Sequence, residues 1–138
     1  MISLITGKKG AGKTKKLIEE VNKAIVKTNG NIVVIEKGLK LTYDISHKAR
    51  LIDTEQFSIS GFDTFYGFIC GICAGNYDVK EIFIDSTLKI CGDDMNCFEE
   101  MINKIHKLAN DTDTKFVISV SADDSEIPDN IKKIVNKI

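Results

Sequence analysis

Residues 1–14 read Met1-Ile-Ser-Leu-Ile-Thr-Gly-Lys-Lys-Gly-Ala-Gly-Lys-Thr14. Ile2 to Thr6 is a short apolar run, and it opens into a glycine-rich turn. A strongly amphipathic segment begins at Lys13. Gly7, Gly12, Lys13 and Thr14 occupy the fixed positions of G-x-x-x-x-G-K-T, a pattern that suits phosphate. Glycines take positive φ and carry no Cβ, so the backbone can approach an anion closely and point several N–H groups at it. A helix that starts at Lys13 aims its free N–H groups and its partial positive charge at the same place.

Working outward, the helix spans 13–27. Leu17, Ile18, Val21, Ala24 and Ile25 recur on one face at helical spacing. Asn29 or Gly30 is available to cap its end. Ile32-Val-Val-Ile35, within 31–36, is a β-branched buried strand. Strand, helix and strand in this order make a βαβ unit, so the first two strands are expected to be parallel.

Over 39–54 the spacing predicts a β-hairpin, with Leu39 to Ile45 and Arg50 to Thr54 as its arms. Phe57 and Ile59 alternate with serines and predict a further short strand or strand end. Gly61 to Gly75 reads as a helix with Ser60 or Asp63 as N-cap. Gly67 and Gly71 lie inside it, where they could allow close packing on the sheet. Glu81-Ile-Phe-Ile-Asp85 is a hydrophobic strand that ends in an aspartate. Asp93 or Asp94 caps a helix to about 110, with Phe98, Met101, Ile102 and Ile105 in its buried stripe. Lys115 to Ser121 is the next strand. Ser125 caps a last helix that carries Pro128 in its first turn and reaches Ile138.

Residues 7–14 and 81–85 together resemble the Walker A and Walker B motifs of the P-loop NTPase superfamily. The resemblance implies one nucleotide-binding domain over 1–138. The implied fold is a three-layer α/β/α sandwich with a mainly parallel sheet, and the ligand lies at the carboxyl ends of its strands. It implies a nucleotide triphosphate, by default ATP, with Mg²⁺. Gly7, Lys8, Lys9, Gly10, Ala11, Gly12, Lys13 and Thr14 would contact the nucleotide. Lys13 would reach the β- and γ-phosphates, and Thr14 and Asp85 would hold Mg²⁺ directly or through water.

Other residues narrow the branch. No Asn-Lys-x-Asp base-reading motif is present, since Asn22-Lys and Asn103-Lys lack the aspartate, and Asp85-Ser-Thr lacks the glycine expected of a GTPase. Lys8 gives a partial likeness to the ParA/MinD-like loop, but Lys9 replaces the expected glycine. Many ATPases of the additional-strand branch place a glutamate directly after the Walker B aspartate, and here that position is Ser86. Glu36 ends the second strand, as the catalytic glutamate does in RecA-like proteins, and is the catalytic candidate beside Lys13; the alternative is a surface strand-end carboxylate. Ser119 and Ser121 are candidates for a γ-phosphate sensor or plain turn formers. Arg50 is either an arginine finger across a subunit contact or a partner for Asp44 or Asp53.

Composition excludes some classes. The net charge of −1 gives no bulk attraction for nucleic acid or a membrane surface. The longest nearly apolar run, Phe65 to Gly75, is too short to span a bilayer. Arg50 is the single arginine, which disfavours a self-contained small-molecule kinase. No signal peptide precedes the first strand, so the four cysteines are expected as thiols in a reducing cytoplasm. Cys70-Gly-Ile-Cys73 is expected to be inert on its helix rather than redox-active or part of a shared zinc site with Cys91 and Cys97. The expected function is thus an ATP–Mg²⁺-binding protein with slow or partner-stimulated ATPase activity. The alternative is a non-hydrolysing regulatory or assembly module, with a protein partner or a second copy of the chain.

Overall fold

Four of the strands alternate apolar side chains to both faces, and this lets helices cover both sides of one sheet. The computed structural model describes residues 1–138. The strands are β1 (Ile2–Thr6), β2 (Asn31–Glu36), β3 (Arg50–Asp53), β4 (Val79–Ile84), β5 (Lys115–Val120) and β6 (Val135–Lys137). Their order is β3-β2-β4-β5-β1-β6, and every pairing is parallel. The helices are α1 (Lys13–Lys27), α2 (Phe62–Gly75), α3 (Thr87–Cys91), α4 (Met95–Thr112) and α5 (Asp129–Lys132).

The period-two alternation assigns the two faces. Ile5, Ile32, Val34, Phe83 and Val117 pack with Leu17, Val21 and Ala24 of α1. Leu4, Val33, Ile35, Ile82, Ile84, Phe116 and Ile118 pack on the opposite face with Phe65 and Ile69 of α2 and Phe98, Met101, Ile102 and Ile105 of α4. The result is three layers with a buried parallel sheet between them. Complete burial of Leu17 and Val21 contributes about 1.5–3 kcal/mol for each side chain. No helix is long and apolar enough to cross a membrane.

Several expectations need correction. Residues 39–54 form no hairpin. Leu41, Ile45 and Ala49 are buried at four-residue spacing and fold as successive turns onto the α1 side, held by N–H groups of Asp44 and Ile45 on the Leu41 carbonyl. Tyr43 and Leu39, which suggested an alternating strand, are exposed. Only Arg50–Asp53 is strand, and it runs parallel to β2. Residues 54–57 form a 3₁₀ turn, not a strand, because the Asp53 carboxylate accepts the Glu55 N–H and starts a helical turn.

The last helix is a single turn, Asp129–Lys132, after a 3₁₀ turn at Asp124–Glu126. Val135 then pairs with Ile2 and covers the otherwise open edge of β1. Gly61, at φ +84°, stands at the N-cap of α2 in place of Ser60 or Asp63. Gly67 and Gly71 do not serve close packing on the sheet, since a Cβ at either would meet nothing within 4 Å.

Candidate functional site

In a parallel sheet all strands deliver their following loops to one end, and here that end collects the residues of interest. The loop from β1 to α1 leaves the sheet at Gly7, whose N–H donates to the Ala122 carbonyl beyond β5 (2.9 Å). Gly7, Gly10 and Gly12 have φ of +144°, +87° and +84°. At Gly7 a Cβ would also come within 2.9 Å of the Ala11 Cβ. These two constraints, positive φ and close approach, are why glycine is needed there.

The loop is short of acceptors. The Lys8 carbonyl accepts the Ala11 N–H (3.1 Å) and the Lys13 Nζ (2.8 Å), and the Gly12 carbonyl accepts the Lys16 N–H (3.1 Å). The N–H groups of Gly10, Gly12, Lys13, Thr14 and Lys15 have no acceptor within the protein. They belong to the loop and to the first turn of α1, where the helix dipole adds positive potential. Beside them lies a cleft of about 610 Å³, lined also by Ser86, Lys89, Asp93 and Ser121. Clefts of about 300–1,000 Å³ are the usual size for small-ligand sites.

Asp85 follows the end of β4 and is buried. Its N–H donates to the Ile35 carbonyl (2.9 Å), which ties it to β2. Its carboxylate gathers three hydroxyls. Ser119 donates to Oδ1 (2.9 Å), Ser86 donates to Oδ2 (3.3 Å), and Thr14 Oγ1 lies 3.3 and 3.2 Å from the two oxygens. Ser119 in turn accepts the Ser86 N–H (2.8 Å), and its carbonyl accepts the Thr87 hydroxyl (2.9 Å). Ser86 adopts the left-handed conformation, φ 55°, which starts α3 sharply. The structure therefore brings Thr14 and Asp85 together across 71 residues.

Lys13 is buried against this cluster. Burial pushes its pKa below the ordinary lysine value; the Asp85 charge opposes that shift and the nearby Lys89 charge reinforces it. An anion in the cleft would relieve the crowding of Lys13 by Lys89. Lys89 was not singled out by the sequence, since α3 is five residues long and too short to show a period. Lys8 and Lys9 are exposed on the loop.

Glu36 is not a surface carboxylate but a buried one. Its two oxygens accept the N–H groups of Lys40 (3.2 Å) and Leu41 (3.0 Å), so it caps the turn after β2. Burial raises its pKa, the two N–H bonds lower it, and the charges of Asp85 and Asp53 raise it further. Asp53 does similar work from β3, accepting from Gly38 N–H (2.7 Å) and Glu55 N–H (2.9 Å).

Other residues fall elsewhere. Ser121 lines the cleft, whereas Ser119 is buried beneath it. Arg50 begins β3 at the opposite end of the sheet and pairs with neither Asp44 nor Asp53. All four cysteines are free thiols, and no group of three or more His, Cys, Asp or Glu side chains is placed to hold a metal. Compared with protein-family models and with curated proteins, the chain matches none.

Proposed function

We propose that this chain is a P-loop protein that binds ATP with Mg²⁺ and hydrolyses it slowly or on stimulation by a partner. One observation carries the proposal: five unpaired N–H groups, Lys13 and Thr14 line one cleft, and Asp85 lies directly behind Thr14, within hydrogen-bond reach of its hydroxyl. Unpaired donors with a buried cation suit an anion of high charge. The Thr14–Asp85 oxygen pair suits a hard divalent cation that takes few protein ligands and completes its shell with water and phosphate. Bound Mg²⁺ supplies charge neutralisation at the phosphate oxygens.

The chain's own contribution is positioning and electrostatics. Within and just after residues Gly7 to Thr14, the free N–H groups of Gly10, Gly12, Lys13, Thr14 and Lys15 cradle the phosphates. Lys13 exchanges its bond to the Lys8 carbonyl for phosphate oxygens, a short swing that leaves its charge in place. Ser119 and Ser86 fix the Asp85 carboxylate, and through it the Thr14 hydroxyl. The remaining requirement of hydrolysis is a group that orients or deprotonates water. Ser86 follows Asp85 where a carboxylate base would serve, and Glu36 is engaged by Lys40 and Leu41. Both features support low intrinsic turnover.

The same features favour a second reading, a regulatory or assembly module that binds the nucleotide without turnover. It differs by one result, since single-turnover hydrolysis by the isolated protein excludes it.

Titration calorimetry of ATP, GTP and ADP with Mg²⁺ tests the proposal on wild type and Lys13→Ala. Loss of a charge-assisted contact predicts ATP binding at least about tenfold weaker in the variant. Equal affinity in the two proteins would sink the assignment.

A further inference from the structure

A second cleft lies at the other end of the sheet. The β2–β3 ladder begins at Val33 opposite Arg50, so Asn31 and Ile32 have no strand partner on that side. The turns of residues 42–49 and the second half of α2 close around this gap. They leave a cleft of about 780 Å³, larger than the one beside the glycine loop.

Its chemistry has one sign. The charged or ionisable side chains that line it are His47, Lys48 and Arg50, and no Asp or Glu is among them. None of the three joins any of the protein's ion pairs. Arg50 is the single arginine of the chain, and its planar fork matches carboxylate or phosphate oxygens. Buried apolar side chains border it on both faces of the sheet, Ile45 and Ala49 on the α1 side and Ile52 on the α2 side. The far wall is the backbone of α2 at Gly71 and Gly75, where a Cβ would meet nothing within 4 Å.

We propose that this cleft binds a small organic anion, a carboxylate or phosphate monoester on an apolar body, with Arg50 gripping the anionic group. Buried apolar borders, a rim on which Lys48 and Arg50 have no ion-pair partner, and a helix wall with glycines are what such a ligand requires. The cleft shares no lining residue with the glycine loop, so it stands independently of nucleotide binding.

The test is an amide NMR titration of the ¹⁵N-labelled chain with phenyl phosphate and with benzoate, with benzyl alcohol as the neutral control. Saturable shifts at Asn31, Ala49, Gly71 and Gly75 are expected with at least one of the anions and not with the alcohol. Arg50→Gln should raise that Kd at least about tenfold, the loss of one charge-assisted bidentate contact. Gly71→Leu should abolish binding by filling the cleft. Its Tm should hold or rise, because an exposed helix interior loses a glycine at a position where the Cβ has open space. No saturable shift with either anion, shifts confined to residues 7–14, equal shifts with benzyl alcohol, or undiminished affinity in either variant would overturn the proposal.

Discussion

The Ser119 hydroxyl donates to Asp85 Oδ1 at 2.9 Å while it accepts the N–H of the next residue along β4's exit, Ser86. One buried oxygen thus joins two neighbouring strands just beneath the candidate site. Ser119→Ala removes both bonds and leaves the Ser86 N–H without an acceptor. The expected cost is about 1–3 kcal/mol in urea unfolding, with an unchanged m-value. If Asp85 acts on Mg²⁺, the Mg²⁺-dependent part of ATP affinity should fall in the same variant. A stability within experimental error of wild type would show that the bond contributes nothing.

Two glycine substitutions should act with opposite signs. Gly12 has φ +84°, so Gly12→Ala forces an L-residue into the left-handed region and should cost about 1–2 kcal/mol. Gly67 sits in the exposed interior of α2 with open space at its Cβ. Gly67→Ala should stabilise by about 0.5–1 kcal/mol, mainly through the unfolded chain. Thermal unfolding of the pair tests both, and a shift of the same sign in each contradicts this account.

Glu36 predicts a pH dependence. Its folded pKa is raised, chiefly by burial, so between the ordinary carboxylate value and the raised one the folded state holds more protons than the unfolded. Its contribution to stability is therefore fully present below the ordinary value and declines as pH rises through the raised one. Glu36→Gln keeps one acceptor oxygen but sets an NH₂ against a backbone N–H, so it should be less stable by about 1–3 kcal/mol. Because glutamine does not titrate, the gap to wild type should narrow as pH rises across that window. Urea melts at several pH values measure it, and a gap that widens instead would refute the sign.

Cysteine reactivity should separate by burial. The Cys91 thiol is pushed up to about 12 by burial alone. Cys70, Cys73 and Cys97 are only partly buried. Iodoacetamide at pH 8, followed by peptide mass mapping, should label Cys91 last and only on a timescale set by unfolding. Labelling of Cys91 as early as Cys97 would contradict its placement.

The parts legible in sequence were those governed by local pattern. The run Ile2–Thr6, the loop, α1 over 13–27 and the strand ending before Asp85 all follow from short-range period and turn chemistry. Leu39 and Tyr43 misled because they are apolar yet exposed, while Leu41, Ile45 and Ala49 carry the burial at a spacing no strand has. Val135 reads as helix from its neighbours, but the free edge of β1 decides otherwise, and that edge is 133 residues away in sequence. The candidate site divides in the same way. Its loop and its aspartate were visible separately. The hydroxyl network of Ser119, the approach of Lys89 to Lys13 and the turn-capping of Glu36 arise from pairings between distant segments, which no local period encodes.

The pairing of β1 bears on how the chain folds as it is made. β1 is made before the other strands described here, yet its strand partners are β5 and β6, beginning at Phe116 and Val135. Nothing between residues 7 and 114 pairs with it. β2, β3 and β4 can join during synthesis, since their contacts lie within residues 31–84. The β1 ladder and the Gly7 bond to Ala122 therefore wait for residues 115–122, although α1 and Thr14 can already meet β2, β4 and Asp85, and loop closure over more than a hundred residues slows that last step.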